Sequence, residues 1–117
     1  MEIPELAIDK ECKNLHNIYL FYVEDKWWAF GYSAYYLSIM YPVLDVIGRT
    51  LPEYGECVPC VHVPDNFLAI LSDFYNTLVS DNYIQVEAPP TAYCYRKEYN
   101  EWCMSLTVNS VSYTHLT

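Results

Sequence analysis

The sequence predicts one domain of the α/β or α+β class, with a mixed sheet of about four to six strands flanked by two or three helices. Short runs of β-branched and aromatic residues alternate with segments whose apolar residues recur every three or four positions. The chain has 117 residues, of which 53% are hydrophobic, and this is enough for one packed core. No internal repeat divides the sequence.

The unit from Ile18 to Leu44 organises the rest of the chain. Residues 18–22 are apolar or aromatic without a break, which is typical of a strand covered on both faces. Acidic residues then interrupt the run at Glu24 and Asp25, where we expect a solvated hairpin turn or a bulge. Apolar residues return at 27–30, WWAF, and form a second, short strand, after which Gly31 allows the chain to turn.

An amphipathic helix is predicted after Gly31. Ser33 is a suitable N-cap because its hydroxyl can accept a hydrogen bond from a free backbone N–H. Pro42 is expected to end or kink the helix. Residues 1–17 hold too few apolar side chains to decide between a helix and a loop. The apolar stripe comprises Ala34, Leu37, Met40, Tyr41 and Leu44.

The middle of the chain is predicted as a loop, a strand and a second helix. Residues 48–56, GRTLPEYGE, contain two glycines and a proline and indicate a loop. Residues 57–63 form an apolar strand, which Pro59 places at an edge or a bulge. Asp65 is the expected N-cap of the helix, and Asn82 its left-handed C-terminal residue. The apolar face of this helix comprises Phe67, Ile70, Leu71, Phe74, Tyr75 and Leu78.

The last part of the domain is predicted as three strands. The first covers residues 83–86 and is closed by the pair Pro89-Pro90. The other two cover 91–95 and 102–108, on either side of the charged stretch RKEYNE, which we interpret as a turn or a short helix. Residues 110–117, SVSYTHLT, resemble the conceptual translation of sequencing-adapter read-through. The domain is therefore expected to cover 1–108, with 109–117 as a tail of artefactual origin.

The charge of the chain limits its partners. Six basic residues against 15 acidic ones give a formal net charge of −9. Such a charge opposes approach to a phosphate backbone or an anionic membrane, and basic residues are adjacent only at Arg96-Lys97. DNA is electrostatically disfavoured, no membrane partner is expected, and a protein partner fits better.

Several features indicate a cytoplasmic protein. The N-terminus is acidic and contains Pro4, unlike a signal peptide. The uncharged run 27–44 contains glycine, proline, serines and seven aromatic residues, so we interpret it as a buried core segment. Five cysteines, an odd number at irregular spacing, are typical of reduced thiols.

Cys57, Cys60 and His62 form the only group with metal-like spacing. With Cys94 or Cys103 they could build a zinc site, but alternating strand positions would scatter the side chains over both faces. We favour structural thiols and expect no metal or cofactor. Glu24 and Asp25 are adjacent and point apart, no nucleophile accompanies them, and we expect no enzymatic activity.

Two segments together resemble domain I of the DNA mismatch-repair protein MutS. That family has the motif Gly-Asp-Phe-Tyr-Glu-x-Phe-Gly-x-Asp-Ala after a strand; residues 24–34 here read EDKWWAFGYSA, matching at Asp25, Phe30, Gly31 and Ala34. The family continues with a strand ending in Gly-Val-Pro, a helix ending in Leu-Val-x-x-Gly-Tyr, and a strand. The corresponding stretches are HVP at 62–64, LVSDNY at 78–83 and residues 84–88, so the resemblance covers 18–88.

The resemblance implies a mixed sheet flanked by helices and a module that contacts DNA without catalysis. In the family a Phe wedges against the mismatched base and a Glu two residues later accepts a hydrogen bond from it. Lys26 and Trp28 stand at these positions, so the mismatch-reading pair is lost, and the chain has no phosphate-binding glycine-rich loop.

We therefore expect a non-catalytic binding module, with Lys26, Trp27, Trp28 and Phe30 as candidate binding residues. The alternating pattern of a strand predicts that one tryptophan faces inward and the other outward. We favour the interpretation that the rings are a core ring and a partly exposed neighbour over a recognition patch. The alternative function is an acidic protein-interaction factor, or a nucleic-acid mimic, that does not bind DNA; exposed Trp and Tyr would suit a protein interface.

Overall fold

An antiparallel sheet of six strands, surrounded by four α-helices, is the framework of the computed structural model, which describes residues 3–51 and 56–116. The predicted α+β class is thus confirmed, and every strand pairing in the described residues is antiparallel. The elements are α1 (Glu5–Cys12), β1 (Asn17–Val23), β2 (Lys26–Phe30), α2 (Tyr32–Met40), β3 (Val46–Leu51), β4 (Glu56–Val63), α3 (Asp65–Phe74), β5 (Thr77–Val79), β6 (Ile84–Glu87), a 3-10 turn (Pro90–Ala92) and α4 (Arg96–Leu116).

The strands lie in the order β3-β4-β2-β1-β6-β5, so β3 and β5 are the two edges. Three hairpins, β1–β2, β3–β4 and β5–β6, supply three of the five pairings. The register aligns Leu20 with Ala29 of β2 on one side and with Ile84 of β6 on the other. β1 therefore lies in the interior of the sheet, as its unbroken apolar run predicts.

The sheet is covered on both faces. Ile18 and Leu20 point to the face on which α2 and α3 pack, while Tyr19 and Phe21 point to the face covered by α1. All four side chains are buried. The prediction of a strand covered on both faces is confirmed, and it explains why apolar residues follow one another here instead of alternating with polar ones.

The helix after Gly31 is confirmed, but the predicted N-cap is wrong. Gly31 is the N-cap of α2, and Ser33 lies inside the first turn, buried, with its hydroxyl bonded to other elements. In the second helix Pro64 is the N-cap, and Asp65 is the first helical residue. The fixed φ of proline suits the extended residue that precedes a helix. Because Pro64 takes the N-cap position, the Asp65 carboxylate contributes only its negative charge to the first turn.

The second helix is also shorter than predicted. α3 ends at Phe74, and Leu78, expected on its apolar face, belongs to β5. Asn82 is consequently part of the β5–β6 connection and not a helix C-terminus. The physical reason lies in the pairing: Asn76 accepts a hydrogen bond from the Glu87 N–H at 3.0 Å, which starts the hairpin before the helix can continue.

The predicted loop at 48–56 is wrong in its first half, because Gly48 to Leu51 belong to β3; residues 52–55 lie outside the described part of the chain. The strand at 57–63 is confirmed as β4, yet it lies between β3 and β2 and not at an edge. Pro59 is accommodated because its carbonyl accepts from Gly31 N–H at 3.0 Å, just beyond the end of β2. At this position a backbone N–H would point towards β2, which has already ended at Phe30, so the lack of an N–H in proline leaves no residue of β2 without its partner.

The strands predicted at 91–95 and 102–108 are also wrong. Pro90 to Ala92 form a 3-10 turn, and α4 begins at Arg96. Rings at Tyr99 and Trp102, three residues apart, pack against Tyr35 of α2, which is the spacing of a helix face. α4 lies against β3 and β4.

The prediction that the uncharged run 27–44 is a core segment is confirmed for Ala29, Phe30, Ala34, Tyr36 and Leu37 of β2 and α2, which are buried, but the end of the run is exposed at Ile39 and Val43. Within the described ranges, none of the helices combines the length and the apolar character needed to cross a lipid bilayer.

Candidate functional site

The β1–β2 hairpin carries the four residues singled out from the sequence. Its turn consists of Glu24 and Asp25, which have positive φ angles of 52° and 65°, as expected for a type I′ turn. Lys26 pairs with Val23 and its side chain is exposed. The hairpin alternative is thus confirmed, and the acidic pair is a solvated turn.

The two tryptophans lie on opposite faces of β2, but both are half-buried. Trp27 packs on the face of α2 and α3, with its ring 5.2 Å from that of Tyr22. Trp28 packs on the α1 face, 5.6 Å from the His62 ring. The expectation that one is buried and the other exposed is therefore wrong, because helices cover both faces of the sheet.

Phe30 is a core residue. It is 1% exposed, and its ring packs against Phe21 at 6.3 Å between centroids. The four sequence-predicted residues consequently do not form one surface: Lys26 is in solvent, Trp27 is on one face, and Trp28 and Phe30 are on the other.

Cys57, Cys60 and His62 do not converge. Cys60 is fully buried on the α1 face, and burial raises the pKa of its thiol to about 12. His62 lies against Trp28. In the part of the chain that the structure describes, no three His, Cys, Asp or Glu side chains are grouped closely enough to hold a metal ion. The five cysteines are thiols.

Glu11, which the sequence did not single out, joins three elements at the start of α2. Its carboxylate accepts hydrogen bonds from the Ser33 N–H at 3.1 Å, the Ser33 hydroxyl at 2.6 Å and the Asn14 amide at 3.1 Å. Ser33 Oγ in turn accepts from the Tyr19 N–H at 2.8 Å. Glu11 thus caps α2 from α1, and Ser33 links the cap to β1.

Gly31 makes this cap possible. Its φ of 61° is strained for any residue with a side chain, and a Cβ there would lie 3.0 Å from Glu11 Cγ. A side chain at this position would therefore push the carboxylate away from the first turn of α2.

Burial raises the pKa of Glu11 to about 7, and hydrogen bonds from Ser33, Asn14 and the Tyr32 backbone offset this only in part. A carboxyl that titrates near neutrality is a typical candidate for acid–base chemistry. A carboxylate, however, has about four acceptor positions, and Ser33, Asn14 and the Tyr32 backbone occupy most of them. We therefore interpret Glu11 as a structural group.

A cavity of about 700 Å³, in the size range of small-molecule sites, lies beside Glu11 between α1, β4 and α4. The wall of the cavity combines apolar residues of α1 and β4 with polar groups of α4. The chemically distinctive lining residues are Glu11, Arg96, Tyr99 and the thiols Cys12, Cys57 and Cys103.

A different surface combines apolar exposure with negative charge at the edge of the sheet. Phe74, Leu78 and Val79 are 77%, 60% and 73% exposed. Asp73 and Asp81 flank them in the sequence, and both are exposed. No lysine or arginine occurs from residue 50 to residue 95. We call this surface, formed by residues 73–81, the β5 edge.

Sequence signals existed for both features. Ala7 and Glu11 are four residues apart, so a helical reading of α1 places Glu11 on the buried face beside Ala7. For the β5 edge, the sequence shows the long stretch without basic residues. It does not show the β5–β6 hairpin, because the apolar spacing of residues 67–78 also fits a helix.

The chain was compared with protein-family models, with curated proteins and with solved structures, and no match was found in any of the three.

Proposed function

We propose that this chain is a non-catalytic binding module whose partner is a protein with a basic surface. The observation that carries the proposal is the β5 edge, where three exposed apolar side chains lie between two aspartates in a region free of lysine and arginine. Single exposed apolar side chains are normal, but three of them within the six residues 74–79, at the edge of the sheet, favour an interaction site. The surrounding carboxylates select a partner of opposite charge.

The same charge disfavours DNA. A net charge of −9 repels a phosphate backbone at long range, and the adjacent pair Arg96-Lys97 is too small to offset it. The hairpin supports the same conclusion, because Trp28 packs against His62 and Phe30 is buried, so neither ring is available to insert between bases.

Ancestry and location belong to the same proposal. We keep the resemblance to MutS domain I as a hypothesis of descent, in which a DNA-contacting module has lost its mismatch-reading residues and acquired a protein partner. A cytoplasmic location agrees with five cysteines that are present as thiols.

Fluorescence anisotropy with three labelled probes tests the proposal: a mismatched duplex, the matched duplex and poly-L-lysine, each at low and moderate salt. We expect saturable binding of poly-lysine that weakens with salt, and no binding of either duplex. Asp73→Asn and Asp81→Asn should each weaken poly-lysine binding more than Asp45→Asn. Asp45 is the matched control because it is exposed and precedes β3, at the opposite edge of the sheet.

Preferential binding of the mismatched duplex would overturn the proposal in favour of DNA recognition. Equal effects of the three Asp→Asn substitutions would also contradict it, since they would indicate attraction to the whole acidic surface and no dedicated site.

A further inference from the structure

We propose that the β5 edge binds an extended, basic segment of another protein, which adds to the sheet as a seventh strand. This inference rests on the proposed function and specifies its partner: a strand with β-branched residues at its centre and lysine or arginine at its ends. The argument uses the backbone of β5, its side chains and the charge around it.

The backbone of β5 has hydrogen-bonding groups that face away from the sheet. Asn76 O accepts from Glu87 N–H at 3.0 Å, and Ser80 N–H donates to Tyr83 O at 2.8 Å, so these two residues point towards β6. Successive residues of an antiparallel strand alternate in this respect. Thr77 and Val79 therefore direct their N–H and C=O groups outwards, where the sheet ends.

The residues of β5 supply no side-chain protection of the exposed edge. Natural edge strands prevent another strand from pairing by being very short or by carrying lysine, proline or a bulge, and of these devices β5 has only its length of three residues. β5 reads Thr-Leu-Val, is exposed at all three positions and pairs with β6 in regular register. An exposed apolar strand with outward backbone groups is the template that strand-adding peptides use.

Charge decides between the two kinds of strand that could occupy this edge. A second copy of the chain would bring another net charge of −9 to the interface, and with it the Asp73 and Asp81 that flank its own β5 in the sequence. Like charges placed opposite each other across a strand pair are destabilising. A basic segment instead pairs its end residues with these aspartates, so we assign the site to a different protein.

The test uses a labelled peptide with an alternating Val-Thr centre and two basic residues at each end, and a counterpart with glutamates at the ends. We expect the basic peptide to bind and the acidic one not to bind. Val79→Pro removes an outward N–H without removing a bond to β6, and proline is tolerated on the free side of an edge strand. We expect it to weaken the basic peptide by about tenfold, the equivalent of one main-chain hydrogen bond.

Val79→Thr is the matched control, because it keeps the N–H and the β-branched shape; we expect a much smaller change in affinity. Amide hydrogen exchange of the wild-type protein supplies a readout that does not depend on a variant. On peptide binding, the N–H groups of Thr77 and Val79 should gain protection, whereas that of Leu78, which faces β6, should change little.

The outcomes separate this inference from the proposed function. If poly-lysine binds but the basic peptide does not, or if Val79→Pro binds the peptide as wild type does, strand addition is wrong and the basic-partner proposal stands. If neither cationic probe binds, both are wrong. If ultracentrifugation shows a dimer that Val79→Pro dissociates, the occupant is a second copy and the assignment to a different protein is overturned.

Discussion

At the scale of single residues, Glu11 is the group whose role is least expected from its type. A buried carboxylate without a cationic partner is costly, yet this one satisfies the first turn of α2 and fixes Ser33. No lysine or arginine nitrogen in the described ranges comes within salt-bridge distance of it. The burial that raises its pKa makes the stability of the whole domain depend on pH.

We expect the free energy of unfolding to fall as the pH rises from 5 to 8. The pKa of Glu11 is about 7 in the folded protein against an ordinary 4.5, so the folded state binds the proton more tightly and loses this advantage as the carboxyl ionises. The full contribution is about 3 kcal/mol. Urea titrations of wild type and Glu11→Gln at both pH values measure it.

The glutamine variant keeps the shape of the side chain but cannot ionise, so its stability relative to wild type should rise by most of that amount between pH 5 and pH 8. Glu5→Gln, on the exposed side of α1, is the control and should parallel wild type. Parallel curves for Glu11→Gln and wild type would show that Glu11 titrates in its ordinary range.

At the scale of elements, the sequence predicts best those segments whose pattern fits one structure only. The run 18–22 has no helical stripe and could only be a doubly covered strand, which β1 is. The region after residue 91 was ambiguous: Trp102, Thr107 and Val108 favour a strand by type, while Tyr99, Trp102, Cys103 and Leu106 have helix spacing. The packing of the Tyr99 and Trp102 rings against α2 favours the helix over the strand.

Tyr99 should be the residue that holds α4 in place. Its ring is stacked on Tyr32 at 3.8 Å and 15°, and it also contacts Trp102. We expect Tyr99→Ala to cost about 2 kcal/mol and to expose α4 to protease before the sheet unfolds. Limited proteolysis with fragment mass analysis, together with urea unfolding, measures both effects.

Tyr95→Ala is the matched control, because this substitution removes the same type of side chain from a position that is 81% exposed. It should leave cleavage and stability close to wild type. Equal sensitivity of the two variants would mean that α4 is held by its backbone contacts and not by the ring stack.

At the scale of the whole molecule, the order of strands was beyond prediction from the sequence. Adjacent hairpins follow from short connections, but the insertion of β4 between β2 and β3 depends on where α2 returns the chain. The two-sided core could be anticipated from β1, and the half-burial of both tryptophans follows from it. To predict the β5 edge, one would need to know both that β5 pairs with β6 and that its side chains are exposed.

The net charge of −9 should make this domain more stable in salt. Repulsion among carboxylates destabilises the compact state, and salt screens it over distances beyond about 10 Å at 0.1 M. We expect the urea midpoint to rise between 0.05 and 0.5 M sodium chloride. A double variant, Asp73→Asn with Asp81→Asn, should respond less steeply, and a midpoint that falls with salt would show that attractive ion pairs dominate.

The stack of Tyr32 on Tyr99 also affects how fast these rings can rotate. A ring held face to face at 3.8 Å must wait for its neighbour to move before it can turn about its own axis. We therefore expect the two sides of the Tyr99 ring to give separate or broadened proton resonances, while the exposed Tyr95 ring gives averaged ones. The temperature at which the Tyr99 signals merge reports the breathing motion between α2 and α4.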